Sequence, residues 1–139
     1  MAKLLLVEEE LEACRAFEAA FPPPTGHSLR TCQDGTTAID WYRRERSDLV
    51  FCNLKLKGLD GLSVLEGLKG MDPWATVIVT TAYGTVETAI HAMRLGAYDF
   101  LQKPISISQI QHVTHRALDH RRQLRQLTLL QGRPGQPAD

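Results

Sequence analysis

Short runs rich in apolar and β-branched residues alternate along this chain with longer segments of helical periodicity. The runs predict strands at about residues 3–7, 28–32, 48–53, 76–80 and 97–101. The segments that follow them predict helices at about residues 9–20, 35–45, 61–69, 85–94 and 106–130. Such alternation is typical of a parallel sheet covered by helices on both faces. Because βαβ crossovers are right-handed, the sequence predicts an α/β fold with a doubly wound sheet.

Composition is that of one compact globular domain. The chain has 139 residues, of which 43% are hydrophobic and 23% charged, and 16 basic residues balance 16 acidic ones. A net charge of zero gives no overall field to attract nucleic acid or a membrane surface. With neither a signal-peptide pattern nor an apolar run of roughly 20 residues, the predicted location is the cytoplasm. Cys14, Cys32 and Cys52 lack metal-site spacing and are predicted to be buried, reduced thiols.

Polar residues follow the predicted strands at particular places. Glu8-Glu9-Glu10 follows the first strand, Asn53 closes the third, and Gly58-Leu59-Asp60-Gly61 comes soon after it. Thr81-Ala82 follows the fourth strand and Lys103-Pro104 the fifth. In this order and spacing, the motifs resemble those of the receiver domain of two-component response regulators, over residues 3 to about 120.

The resemblance implies a flavodoxin-like sheet of five strands in the order 2-1-3-4-5, with five helices. Ligands gather at the carboxyl edge of such a sheet, beside its first and third strands. It also implies that Thr81 offers a hydroxyl and Lys103 an ammonium group to a phosphoryl group. Phe100 stands where the family has an aromatic side chain that changes rotamer on activation, and a cis peptide bond is implied at Lys103-Pro104.

The same resemblance places a magnesium ion at this edge. Glu8 and Glu9 stand at the acidic metal positions, and the backbone carbonyl of Lys55 would be a further ligand. In the family, an Asp at the end of the third strand accepts the phosphoryl group. Here that position is Asn53, which has no ionisable oxygen, so no catalytic residue is predicted.

Further departures concern the metal. Each glutamate is one methylene longer than the family's usual Asp, which misplaces its carboxylate for octahedral magnesium, and Lys57 brings a positive charge near the site. We therefore expect no cofactor or only weak Mg²⁺. The predicted function is that of an atypical receiver, not an enzyme, which signals by protein–protein interaction without Asp phosphorylation. The alternative is an ordinary phosphorelay receiver, such as that of a transcriptional activator, with an engineered Asp-to-Asn change at position 53.

Taken singly, these residues have simpler interpretations. Three consecutive glutamates are typical of the solvated first turn of a helix. Thr81 alone could be a strand-end hydroxyl, Lys103-Pro104 a turn and Phe100 a core ring.

The last helix extends beyond the usual end of a receiver. Apolar residues at alternating spacings of three and four predict a possible dimer seam: Ile110, Val113, Ala117, His120, Leu124 and Leu127. Up to about Leu118 the helix is expected to cover its own sheet, and beyond Asp119 we expect no sheet for it to cover. We therefore predict a receiver domain at 1–120 and, at 121–139, a helix extension with a flexible tail or the start of a linker to an output domain.

Partners are predicted to be proteins. Arginines cluster between His115 and Arg125, but no helix-turn-helix pattern or interleaved aromatics accompany them, so direct contact with nucleic acid is not expected. The segment 81–100 most resembles receivers of transcriptional activators of the nitrogen-regulation class. In these, the fourth helix, fifth strand and fifth helix form the signalling face. Here that face would include Ala89, His91, Arg94, Asp99, Gln102 and Gln109.

Overall fold

A computed structural model describes residues 2–23, 26–82 and 84–131, in which five strands and five helices alternate. The strands are β1 (Lys3–Val7), β2 (Ser28–Cys32), β3 (Leu49–Asn53), β4 (Val77–Thr81) and β5 (Asp99–Gln102). The helices are α1 (Leu11–Ala20), α2 (Gly35–Arg44), α3 (Gly61–Met71), α4 (Val86–Arg94) and α5 (Ile107–Gln131). The last part of the expected C-terminal extension, residues 132–139, lies outside the described residues.

The five strands form one parallel sheet in the order β2-β1-β3-β4-β5. This confirms the expected topology. Val7 is level with Cys52, and Asn53 with Thr80, so the carboxyl ends of β1, β3 and β4 lie side by side. The register therefore brings the loops after these strands to one edge of the sheet, where the candidate site lies.

The core lies in two layers, one on each face of the sheet. One layer packs Val50 and Cys52 of β3 against Leu65 of α3, and the other packs Phe51 against Phe17 of α1. The Phe17 and Phe51 rings meet edge to face, with centroids 4.8 Å apart. Since both faces are covered, β3 is buried throughout, which explains its continuous apolar sequence.

Side-chain caps begin several of the described helices. Asp34 accepts a hydrogen bond from the N–H of Thr37 at the start of α2, and Asp60 accepts one from the N–H of Ser63 at the start of α3. Thr85 caps α4 in the same way, by accepting from the N–H of Thr88. Each cap satisfies an N–H that the helix leaves unpaired and is worth about 1 kcal/mol. Each cap fixes the residue at which the loop after a strand ends and the next helix begins.

Helix α5 remains in contact with its own domain beyond Asp119. The His120 ring lies 5.1 Å from that of Tyr98, and Arg121 donates to the carbonyl oxygen of Trp74 at 3.2 Å. Past Asp119 the helix therefore packs on the loop before β4 and on Tyr98 rather than on the strands of the sheet. Of the proposed seam, Ile110, Val113 and Ala117 are buried in the core, whereas Leu127 is 48% exposed.

All three cysteines are free and buried, as predicted. Burial raises the pKa of the Cys32 thiol to about 11, and it raises the pKa of Cys52 further. These thiols are therefore protonated and unreactive near neutral pH. In the part of the chain that the structure describes, no helix has both the length and the apolar character needed to cross a membrane.

Candidate functional site

The polar residues singled out by the sequence meet at the carboxyl edge of the sheet. Glu8 is 0% exposed, Asn53 4% and Thr81 5%, so each is held within the protein rather than displayed on it. A cleft of about 370 Å³ lies above Asn53, with Glu9 and Lys57 among the residues that line it. The structure thus brings these residues to one edge of the sheet, and the partners of each side chain indicate what the cluster can do.

Asn53 is engaged by its own loop. Its Nδ2 donates a hydrogen bond to the backbone carbonyl oxygen of Lys55 at 2.8 Å. That carbonyl is the one that the resemblance to receiver domains implies as a magnesium ligand. A carboxylate at this position has no proton to donate, so the contact depends on the amide. The substitution at position 53 therefore changes how the loop is held as well as its chemistry.

Glu8 forms a buried ion pair with Lys103. Its Oε1 lies 2.6 Å from Lys103 Nζ, and the Lys103 side chain is only 11% exposed. The angles do not meet the requirements of a hydrogen bond, so this contact is mainly coulombic. Glu8 Oε2 accepts the N–H groups of Glu9 at 3.0 Å and Glu10 at 3.1 Å. The β1–α1 loop is thereby tied to the β5–α5 loop.

Lys103 has a second carboxylate nearby, that of Glu10, at 3.6 Å. Glu9 turns to the β3–α3 loop, where its Oε1 accepts the backbone N–H of Lys57. Sequence reasoning considered only the side-chain charge of Lys57, and no sequence pattern marks its backbone as a donor.

The oxygen ligands available at this edge do not fit a magnesium ion. The Lys55 carbonyl accepts from Asn53, Glu8 is paired with Lys103, and Glu9 holds the Lys57 N–H. A bound Mg²⁺ would compete with these contacts for oxygens that are already oriented toward protein groups, and it demands near-ideal octahedral geometry. Within residues 2–23, 26–82 and 84–131, no group of three or more His, Cys, Asp or Glu side chains could hold a metal.

Magnesium should therefore leave the stability of the chain almost unchanged. We expect a shift in melting temperature of less than about 1 °C between zero and 1 mM MgCl₂, since a ligand stabilises only when its concentration exceeds its Kd. Differential scanning calorimetry with matched NaCl or CaCl₂ would measure this. A magnesium-specific rise that saturates below about 1 mM would show that the two glutamates do build a competent site.

Phe100 and Thr81 pack against the loop after β4. A Cβ added at Gly84 would lie 2.7 Å from both Phe100 Cζ and Thr81 Cγ2. The residue after β5 is held beside the end of β4, because the Lys103 N–H donates a hydrogen bond to the Thr81 carbonyl oxygen at 2.8 Å. Lys103-Pro104 is cis, as the resemblance implied. Sequence reasoning missed Gly84, whose only signal is a glycine three residues after the strand.

Gly61 makes the closest approach to the site. A Cβ at this position would lie 2.3 Å from the Asn53 carbonyl oxygen and 2.6 Å from Leu54 Cα. The Gly61 N–H also donates to the Leu54 carbonyl oxygen at 2.8 Å. The start of α3 is therefore packed directly on the backbone that carries Asn53. This explains the final glycine of the Gly58–Gly61 motif.

The predicted signalling face carries an apolar stripe that the sequence analysis did not single out. Val86, Ile90 and Met93 lie on one side of α4 and are 76%, 46% and 47% exposed. Beside them, Arg116 of α5 pairs with Asp99 of β5 at 3.1 Å. Of the predicted face, Ala89 and Asp99 are partly buried, and the exposed members are His91, Arg94, Gln102 and Gln109. The face thus combines exposed apolar groups with an ion pair.

A parallel sheet in the order 2-1-3-4-5, with a polar cluster at its carboxyl edge and a cis Lys-Pro bond after β5, defines a flavodoxin-like receiver. Residues 4–115 match the response regulator receiver domain family. The chain belongs to this family.

Relatives extend well beyond the length of this chain. The transcriptional regulatory protein ZraR of Escherichia coli is 31% identical over 117 residues, covering 84% of this chain and 26% of that protein. The alginate biosynthesis transcriptional regulatory protein AlgB of Pseudomonas syringae is 33% identical over 99% of this chain and 30% of its own length. A crystal structure of NtrX from Brucella abortus superimposes with a TM-score of 0.85 at 32% identity, over 93% of this chain and 30% of that one.

Proposed function

We propose that this chain is a receiver that signals through protein–protein interaction, without phosphorylation at position 53. It binds partner proteins and does not catalyse a reaction, and it acts in the cytoplasm. The hydrogen bond from Asn53 to the Lys55 carbonyl carries this proposal. It pairs the amide with the oxygen that a metal would need and leaves no nucleophilic oxygen at the position the family phosphorylates.

The ion pair between Glu8 and Lys103 supports the same function. In phosphoryl transfer, cations neutralise the incoming charge. Here the Lys103 ammonium group already neutralises a buried carboxylate. The loops after β1 and β5 are thus linked without metal or phosphate, which favours one fixed arrangement of the signalling face.

We propose the α4–β5–α5 face as the partner surface, used either by a second copy of the chain or by another protein. Val86, Ile90 and Met93 provide apolar contact area, and the pair between Asp99 and Arg116 provides polar contacts. The relatives named above are transcriptional regulators of which this chain spans about 30% or less. By this analogy, residues 121–139 lead to an output domain, and contact with DNA belongs to that domain.

The chain should gain no phosphoryl group from acetyl phosphate. Incubation with the donor and MgCl₂, followed by intact mass measurement, should show no species about 80 Da heavier, because a transferred phosphoryl group needs a carboxylate acceptor. A conventional receiver treated in parallel is the positive control. A stoichiometric gain on this chain would overturn the proposed function, and the variant Asp60→Asn would test whether the exposed cap of α3 had accepted the group.

A further inference from the structure

A second cavity lies at the opposite edge of the sheet from Asn53. It has a volume of about 350 Å³, which is within the range of small-molecule sites. It opens between the end of α5, the residue after the α2 C-cap and the loop that leads to β4. Its walls include Arg46, Trp74, Arg121, Leu124, Arg125 and Leu129. Helix α5 contributes most of these side chains, so the cavity exists only because this helix continues past residue 120.

The charged side of the cavity carries more positive than negative groups. Arg46 reaches Asp72 Oδ1 at 3.4 Å, and Arg121 Nε lies 3.7 Å from Asp48 Oδ1. Arg125 has no carboxylate within ion-pair distance among the residues that the structure describes. Three guanidinium groups therefore face two carboxylates, and the uncompensated charge belongs to an exposed arginine at the mouth.

The carboxylate of Asp72 has little further capacity to neutralise these arginines. It is 3% exposed, its Oδ2 accepts the Tyr42 hydroxyl at 2.6 Å, and its Oδ1 also accepts the Trp74 N–H at 3.0 Å. The network holds the base of the cavity and positions Arg46 and Trp74. Beneath the arginines there is thus a buried, hydrogen-bonded polar floor.

The other side of the cavity is aromatic and apolar. Trp74 is partly buried and lies beside Leu124, and Leu129 is 82% exposed at the rim. An indole ring binds flat heterocycles by stacking, and arginine forks bind phosphate oxygens in pairs. A ligand that satisfies both sides carries a planar ring and a phosphate group. A simple anion would leave the apolar wall unused.

We propose that this cavity binds a nucleoside phosphate. Bound there, the ligand would bridge Arg46 after α2 and Arg125 on α5, and so would hold the end of α5 against the loop before β4. The site lies at the amino ends of β3 and β4, and it does not depend on whether position 53 is phosphorylated.

Tryptophan fluorescence can report on the cavity directly. The chain has two tryptophans, and the variant Trp41→Phe leaves Trp74 as the only one. We expect ADP or GDP to quench its emission saturably, with a Kd below about 1 mM. Inorganic phosphate lacks the planar ring and adenosine lacks the phosphate group, so each should bind at least about tenfold more weakly.

Arginine variants test whether the quenching comes from this cavity. Arg125→Gln, in the Trp41→Phe background, should weaken binding of the diphosphate at least about tenfold, since a hydrogen bond to a charged group is lost. Arg116→Gln removes the same charge from α5 outside the cavity and should change the Kd by less than about twofold. No quenching by either diphosphate at about 1 mM would overturn the proposal. So would equal binding of inorganic phosphate, or equal losses in the two arginine variants.

Discussion

Replacing Lys103 with methionine should lower the free energy of unfolding by about 3–5 kcal/mol, because it leaves a buried carboxylate without its cation. Glu8 is 0% exposed, and its Oε1 lies 2.6 Å from the Lys103 ammonium group. Methionine keeps most of the length and apolar stem of lysine, so the loss would report charge rather than packing. Equilibrium unfolding in urea would measure it. We expect a value near the lower end, because two backbone N–H groups still hold Glu8 Oε2.

Two further variants distinguish the effect of losing the buried ion pair from the effect of removing one positive charge from this edge of the sheet. Glu8→Gln combined with Lys103→Met removes both charges and should recover at least half of the loss, since replacing a whole buried pair is often nearly neutral. Lys57→Met removes an exposed lysine from the same edge and should change stability by less than about 0.5 kcal/mol. A Lys103→Met variant as stable as Lys57→Met would mean that the ion pair contributes nothing to holding the two loops together.

Replacing Gly61 with alanine should lower the free energy of unfolding by about 3 kcal/mol or more. The new methyl group would meet backbone atoms, with the Asn53 carbonyl oxygen at 2.3 Å and Leu54 Cα at 2.6 Å. No rotamer change can relieve such contacts, so α3 or the end of β3 must shift. Thermal and urea unfolding would report the loss, and far-UV circular dichroism would show whether the fold survives.

Gly70→Ala provides the matched control, because Gly70 lies in the same helix with nothing within 4 Å of its added Cβ. Alanine is favoured over glycine within a helix by about 0.8–1.0 kcal/mol, so this variant should be slightly more stable than the parent. The two substitutions are chemically identical and are expected to differ in sign. If both stabilise the chain, the end of β3 is not closely packed on α3.

Local patterns were sufficient to predict most of the fold. The apolar run at 48–53 indicated a strand and the helical periodicity at 35–45 a helix, and both appear within a residue of the expected bounds. The strand order came from the resemblance rather than from the patterns, because periodicity carries no information about which strands are neighbours. Once the order was known, the meeting of Glu8, Asn53 and Lys103 at one edge followed from parallel geometry.

The details that the sequence did not predict depend on contacts between distant segments. Two glutamates lie within ion-pair distance of Lys103, and only the packed loops decide that Glu8 rather than Glu10 is its buried partner. The docking of Arg121 on the carbonyl oxygen of Trp74 spans 47 positions and involves a backbone acceptor, which any residue type could supply. Patterns of apolar residues describe which face of α5 is covered, but they do not show how far along its length the covering continues.

The contact between Asn53 and Lys55 also bears on how long a signal would last. An acyl phosphate is a reactive species, and its hydrolysis ends the signal it carries. A hydrogen bond of 2.8 Å between an amide and a carbonyl has no such decay. The signalling state of a receiver that works as proposed would therefore not decay by itself. The strength of its signal would follow the number of copies the cell contains, so that synthesis and proteolysis, rather than a kinase and a phosphatase, would turn it on and off.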